Sequence, residues 1–534
     1  MKTITFYSYK GGVGRSLALA NIALRLAEFG RKVCLLDFDL EAPGLHFKFP
    51  IANQIKLTKG IVDYIYEFTN SGILPSSIKD YSLKITPHSL KTSIDLIPAG
   101  NIDSKEYWHK VSSINWQELL YKNENGLAFL LDLKEKIKKQ LDPEYLLIDS
   151  RTGISEMSGI TLSLLADEIV VVAANNKENL YGCQKIIESI SNPKNLVQDT
   201  PPKVTFVLSR VPFTDNSIDK SKEQSLISKI KRDYLPNLKS EINIIHSDRE
   251  LEENERIKIG YEKDASTAQI SRDYLNLFEQ LTQNDFTSEE LAIFKNIKKA
   301  ETLFLKALSS KSSSERMDLI SRAISLNSRN YNFYYFRAME YYNVKEYEKA
   351  KNDISQILNK VVYLPALELL GEIQLTLNDL NNARKTFENI LKINPKYYNA
   401  LTGLGLICYR ENMIEKSIEY YTMAIEISPE IPFAYNGRGN SNRILEKYDE
   451  ALTDIYKALE LDPNFAIALA TLAEIKAGQG KINEFYLNLE MALILDAENL
   501  QNSLSTEKIY KQFILEERFQ KLLEKYNLTT GNFL

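Results

Sequence analysis

The sequence predicts a chain in two parts, a doubly wound α/β parallel sheet followed by an all-α solenoid. Three observations carry this. A β-rich run, Ile4-Thr5-Phe6-Tyr7, enters the glycine-rich stretch Ser8-Tyr9-Lys10-Gly11-Gly12-Val13-Gly14-Arg15-Ser16, and a helical pattern from Leu17 to Leu24 leaves it. Apolar runs of strand length then alternate with helical stretches as far as about residue 285. From about Asn296 the strand signals stop and a period of 34 residues takes over. A chain of 534 residues is too long for one ordinary core, so two domains are expected, 1–285 and 296–534.

Strand, glycine-rich loop and helix form the context in which a loop cradles phosphate. The glycines let successive N–H groups turn toward one anion, and the helix begins with its positive dipole end on the same spot. Ser16 offers a hydroxyl where a divalent metal would sit. The stretch resembles the deviant Walker A loop of the MinD/ParA family of ATPases, K-G-G-x-G-K-[ST], with Arg15 in place of the second lysine. The resemblance covers roughly residues 1–285 and implies a P-loop fold with ATP and Mg²⁺ as cofactors. It puts Lys10, Gly11, Gly12, Val13, Gly14, Arg15, Ser16 and Leu17 around the nucleotide. Lys10 would reach a partner's phosphates across a nucleotide-bound homodimer. Arginine keeps the charge and can grip phosphate with two N–H groups, but it is bulkier and differently directed, so binding with slow turnover is expected.

The next apolar run, Arg31 to Asp39, reads as a buried parallel strand ending in acids. Its Asp-x-Asp resembles the family's second signature, which implies that Asp37 supports the metal and loop and that Asp39 positions the attacking water. Glu41 to Leu45 turns the chain where the family senses the terminal phosphate. Gly60 to Thr69 predicts a helix and Ser93 to Gly100 a strand and turn. Ser104 to Leu141 predicts long helix, in which Trp108, Trp116 and Tyr121 pack. Glu144 to Asp149 resembles a Walker B strand, with Asp149 on Mg²⁺ beside Ser16. Arg151 follows, either as an extra phosphate contact that compensates for the missing lysine or as one half of a salt bridge. Glu168 to Ala174, Lys203 to Arg210 and Ile242 to His246 complete the strands, and Asp248 to Arg256 is a charged segment often found there in the family. The family reads the base near the end of the Lys203 strand, which places Ser209 and Arg210 near adenine by resemblance.

In the second half, Gly371, Gly405, Gly439 and Ala473 recur at 34 residues, as do Pro395, Pro429 and Pro463, and Ala424, Ala458 and Ala492. This resembles the tetratricopeptide repeat, in which small residues sit where two helices touch, proline ends the second helix and aromatic residues fill the core. About six repeats are expected, one of them (with Ala338 and Ala350) a residue out of step, and a capping helix near Thr506 to Tyr526. Such arrays bind a protein or peptide partner on a concave face. Asn436, Asn440 and Arg443 share a helix face and could meet such a peptide, although ordinary polar surface is the simpler reading. Asn284 to Glu290 is the expected joint between the halves, and Ser309 to Ser314 an inter-helix loop.

Composition narrows the function. A net charge of −5 argues against a nucleic-acid partner and against a DNA-partitioning ATPase. Cys34, Cys183 and Cys408 lie far apart and read as buried thiols in a reducing, cytoplasmic setting, and the four histidines are equally scattered, so no zinc site is expected. No stretch reads as a signal peptide or a membrane span, and the alternating charges of the last helix argue against a membrane tail. The expectation is an ATP-binding, slowly hydrolysing dimerisation switch whose repeats recruit a protein, in bacterial signalling or defence. The alternative is a non-hydrolysing nucleotide-sensing scaffold.

Overall fold

The computed structural model describes residues 1–49, 57–85, 93–119, 126–192, 201–213, 217–247, 262, 264–282 and 284–528. They form two compact units, Met1–Glu340 and Tyr341–Leu534. The first begins β1 (Lys2–Tyr7), α1 (Arg15–Glu28), β2 (Val33–Phe38), α2 (Ile61–Ser71), β3 (Leu83–Ile85), β4 (Ile94–Ile97), α3 (Lys105–Ser113), α4 (Gly126–Gln140), β5 (Tyr145–Ser150) and α5 (Glu156–Ile160). It continues with β6 (Glu168–Ala174), α6 (Lys177–Ile190), β7 (Lys203–Pro212), α7 (Ser217–Asp233), β8 (Ile242–Ser247) and α8 (Ala265–Thr282).

The described strands make one sheet in the order β3-β4-β2-β5-β1-β6-β7-β8. Every pairing is parallel except β3 on β4. That antiparallel edge was not anticipated: Leu83-Lys84-Ile85 is too short to show a period. Residues alternate between the two faces. Leu35, Leu147, Val170 and Val172 pack under α1 and α8. Leu36, Leu146 and Ile148 pack under α2 and α4, and Ile169, Val171 and Phe206 under α6. This two-sided burial explains why the strands read as continuous apolar runs.

The expected long helix from Ser104 to Leu141 is instead α3 and α4, with α3 capped by the Ser104 hydroxyl. Trp108 packs edge-on against the Tyr107 ring (centroids 5.1 Å) while staying about half exposed, and its indole donates to the Ile102 carbonyl (3.1 Å). Tyr121 and the charged segment from Asp248 lie outside the described residues. All three cysteines are buried and free.

The helices that follow are α9 (Ser288–Ser309), packed on α10 (Ser313–Leu326), then α11 (Tyr331–Asn343), α12 (Tyr347–Leu358) and α13 (Leu364–Thr376), which packs on α14 (Leu380–Ile393). Next come α15 (Tyr398–Arg410) with α16 (Ile414–Ile427), α17 (Pro432–Ile444) with α18 (Tyr448–Leu461), and α19 (Ala466–Gly478) with α20 (Ile482–Thr506), which breaks at Asp496. A 3₁₀ turn (Lys508–Phe513) and α21 (Glu517–Lys525) close the described chain in place of a single capping helix, burying Tyr510, Phe513 and Phe519. The joint near Asn284 is a loop between α8 and α9, yet the first compact unit runs on to Glu340. The reason is α9 itself: Phe294 joins the core of Phe278, and the buried Glu301 pairs with Arg25 of α1.

Packing in the second unit repeats with the sequence. The Phe387 ring fills the space where Gly371 and Gly403 lack side chains, and the Tyr421 ring does the same at Gly405 and Gly437. A Cβ at Gly437 would fall 2.3 Å from the Tyr421 ring. The turns repeat too: Asn378, Asn412, Glu446 and Gly480 all have positive φ, 57° to 73°, at 34-residue steps.

Candidate functional site

The glycine-rich loop joins β1 to α1 at the carboxyl end of the sheet, where open α/β sheets bind ligands. Gly12 (φ 73°) and Gly14 (φ 80°) take left-handed conformations that a side chain would disfavour. Gly14 caps α1, which has neither a side-chain cap nor an acid in its first turn, so its positive end is left for an anion. Val13 and Leu17 send their side chains into the core and anchor the loop from below. Ser209 donates to the Val13 carbonyl (2.7 Å) and so holds the loop from β7. Arg210 follows with φ 58°, and its Nη2 lies 3.8 Å from where a Gly12 Cβ would be. The Tyr9 ring occupies the space above Gly182 of α6.

Arg15 is the centre of the site. It is 6% exposed. Its Nε donates to Asp149 (2.5 Å) and its Nη2 to Asp39 (2.7 Å), so one guanidinium spans the ends of β2 and β5. Its Nη1 is buried with no hydrogen-bond partner among the described residues. Burial opposes the Arg15 charge, but Asp149 and Asp39 outweigh it and hold the group protonated. Burial raises Asp149, with Arg15 and the Ser16 hydroxyl pulling the other way. Asp37 faces Asp149 in register across β2 and β5. Its carboxyl accepts from the Leu45 (3.2 Å) and Asp39 (3.4 Å) amides, and burial, then the charge of Asp149, pushes it up to about 8.

The loops around this centre are tied together. Tyr7 donates to the Gly153 carbonyl (3.2 Å), and the Gly153 amide to the Ser8 carbonyl (3.3 Å), joining the end of β1 to the loop after β5. Arg151 pairs with Glu41 (2.5 Å), joining the loops after β5 and β2. Lys10 reaches Glu178 at the start of α6 (2.5 Å), in an exposed pair. Tyr107 donates to the Leu40 carbonyl (2.7 Å). The structure thus brings together Lys10 through Leu17, Asp37, Asp39, Asp149, Ser209 and Arg210, and places Arg151 beside them on Glu41. Tyr107, Glu178 and the Tyr9–Gly182 contact were missed, because no local pattern marks a partner so far along the chain.

The residues present fit a nucleotide. The orphaned Nη1, the uncapped helix and the left-handed glycines are all complementary to phosphate oxygens. Among the described residues no group of three His, Cys, Asp or Glu is arranged for a metal. Mg²⁺ needs no such cage, since it binds through one or two protein oxygens plus phosphates, and Ser16 beside Asp149 is a donor set of that kind.

In the second unit, the reading of Asn436, Asn440 and Arg443 as ordinary polar surface is overturned. Asn436 and Arg443 are buried. Arg443 pairs with Glu474 (3.0 Å) and Glu507 (2.9 Å), and its Nε donates to Asn440 (2.8 Å). Burial pushes Glu474 up to about 7. The chain's own Glu507, which also accepts from Tyr409 (3.0 Å), therefore holds the guanidinium that a peptide carboxylate could have met.

Residues 1–206 match the AAA domain family, and residues 364–397, 398–431 and 432–465 match tetratricopeptide repeat families. The septum site-determining protein MinD of Thermotoga maritima is 27% identical over 191 residues, 35% of this chain and 58% of that protein. The DnaJ homolog subfamily C member 7 homolog of Dictyostelium discoideum is 27% identical over 243 residues, 41% of this chain and 44% of that protein. Among solved structures, the MinD cell division protein of Aquifex aeolicus is 20% identical, with 52% of this chain and 97% of that chain covered and a TM-score of 0.36. The chain spans about half the length of these curated relatives. No helix among the described residues is long and apolar enough to cross a membrane. The N-terminal part carries a MinD-like P-loop ATPase domain, and tetratricopeptide repeats follow it.

Proposed function

We propose that the chain is an ATP-binding, slowly hydrolysing switch that dimerises with nucleotide and recruits a protein partner through its repeats. One observation carries the reading: Arg15, buried at the open end of α1, keeps an unpartnered N–H edge beside the two acids that would handle metal and water. Lys10, the loop amides and Arg15 would bind the phosphates. Ser16 and Asp149 would hold Mg²⁺, which supplies charge neutralisation on the phosphates when bound. Asp37 braces the loop after β2 through its backbone bonds. Asp39 would orient the water, and Arg210 lies over the loop where base or phosphate would pass. The Glu41–Arg151 pair would respond when both loops close on the ligand.

A second reading, a scaffold that binds nucleotide without hydrolysing it, is favoured by the same geometry. While Asp39 accepts from Arg15, its carboxylate is engaged, so turnover requires that pair to loosen.

The test is light scattering on the full chain with and without ATP and Mg²⁺, with phosphate release followed in the same sample. The switch predicts an ATP-dependent dimer that Lys10→Ala abolishes and Asp39→Ala prolongs. ATP binding at constant mass and without phosphate release assigns the scaffold instead.

A further inference from the structure

Two acids, Asp39 and Asp149, meet on one guanidinium at the carboxyl end of the sheet, where open α/β sheets take their ligands, and paired carboxylates repel phosphate unless a cation intervenes. In phosphate-binding loops that cation is ordinarily Mg²⁺, held between a Walker B carboxylate and the phosphates. Here a side chain already stands on the carboxylates. Arg15 is buried, bonds Asp149 through Nε and Asp39 through Nη2, and leaves Nη1 enclosed with no partner among the described residues. A guanidinium carries five N–H donors in one plane, so it can hold two carboxylates with one part of its rim and a phosphate oxygen with the rest. A lysine ammonium is a single compact charge without that fork.

We propose that Arg15 acts as a resident cation, bridging Asp39 and Asp149 to the incoming phosphates, so that this site binds a nucleoside triphosphate without a divalent metal. The metal is then needed for the step after binding. Arg15 is in this sense a ligand-positioning and metal-sparing residue. The proposal rests on the nucleotide reading given above and goes beyond it, because slow turnover alone implies nothing about metal dependence of binding.

The experiment is calorimetric titration of the full chain with ATP, and with a non-hydrolysable ATP analogue, in Mg²⁺ and again in EDTA. The wild-type comparison needs no variant. Arg15→Lys is titrated beside it, with thermal unfolding as the check on folding. The expected result is a wild-type affinity that changes by less than about threefold on chelation, while Arg15→Lys loses about tenfold or more. A merely structural role for Arg15 would lower both affinities together and leave their ratio alone. Wild-type binding that falls about tenfold or more in EDTA overturns the proposal and leaves the nucleotide reading standing. Equal metal independence in Arg15→Lys also overturns it, since the arginine would then not be the cause. No binding of ATP by the wild type under either condition removes the nucleotide reading itself, and this proposal with it.

Discussion

Single positions carry the sharpest consequences. Gly182 lies on α6, outside the glycine-rich loop, yet a Cβ there would fall 2.2 Å from the Tyr9 ring. Gly182→Ala should therefore push the loop off its seat. The expected outcome is a loss of about 1–3 kcal/mol of stability with a weakened nucleotide affinity, read by urea unfolding and calorimetry. An unchanged affinity would show that the loop does not depend on this contact. In the repeats, Glu446 holds φ 57° at a turn where the two preceding repeats use asparagine. Asparagine tolerates that conformation better, so Glu446→Asn should stabilise the second unit by about 0.5 kcal/mol, measurable as a raised unfolding midpoint. Asn378, Asn412, Glu446 and Gly480 fall at one 34-residue step, but with glutamate among them the residue types do not show the left-handed turn they share, which only the backbone reveals.

Between elements, the joining of α1 to α9 stands out. Arg25 is 2% exposed and pairs with Glu301 and Glu28, while Glu262 lies near enough for its charge to act on both Arg25 and Glu301. Removing one partner of such a pair strands the other charge in the interior. Glu301→Leu should cost about 3 kcal/mol or more, and Arg25→Met less, because Glu301, already raised to about 7 by burial, then takes up a proton instead of standing as a bare charge. The double replacement should cost clearly less than their sum, because no unpaired charge remains of the pair. Full additivity in a double-mutant cycle would mean that the two side chains do not interact. This pair also explains why the first compact unit extends past the expected border. The 3.6-residue periodicity of α9 resembles that of the other repeat helices, and nothing local reveals that its partner is an arginine of the loop helix.

For the molecule as a whole, several buried groups keep protons that an unfolded chain would have released. Burial, then the charge of Asp149, pushes Asp37 up to about 8. Burial pushes Glu301 to about 7, and Glu372, beside Glu368, to about 7. Burial also takes Glu474 to about 7. Burial opposes the charge on His246, but Asp273 (2.7 Å) and Glu223 (3.1 Å) raise it to about 9. Each of these folded values lies above the unfolded one. Each contribution is therefore complete below the unfolded pKa and is lost as pH rises through the folded value. For the acids that window runs from their ordinary range to about 7 or 8, and for His246 from 6.5 to about 9. Urea midpoints should accordingly fall steadily from about pH 6 to about pH 9. His246→Gln should flatten the upper part of that slope, by an amount equivalent to at most about 3 kcal/mol. A midpoint that rises over this range would contradict the buried protonation states.

The buried strands, the loop and the repeat were legible because each is written in local periodicity, whereas the order of the strands in the sheet was not. Alternating apolar runs make buried parallel strands, glycines between a strand and a helix make an anion loop, and a 34-residue step of small residues makes stacked helix pairs. The loop residues and the three acids could be named from those patterns and from family resemblance alone. What they touch could not. Whether Arg15 faces solvent or spans Asp39 and Asp149, whether Arg443 is surface or a buried knot with Glu474 and Glu507, and that α9 belongs with the sheet are set by contacts between residues far apart in the chain. Burial and the charge of a distant neighbour act through space, and a side chain meets them only once the sheet and the helices have closed around it.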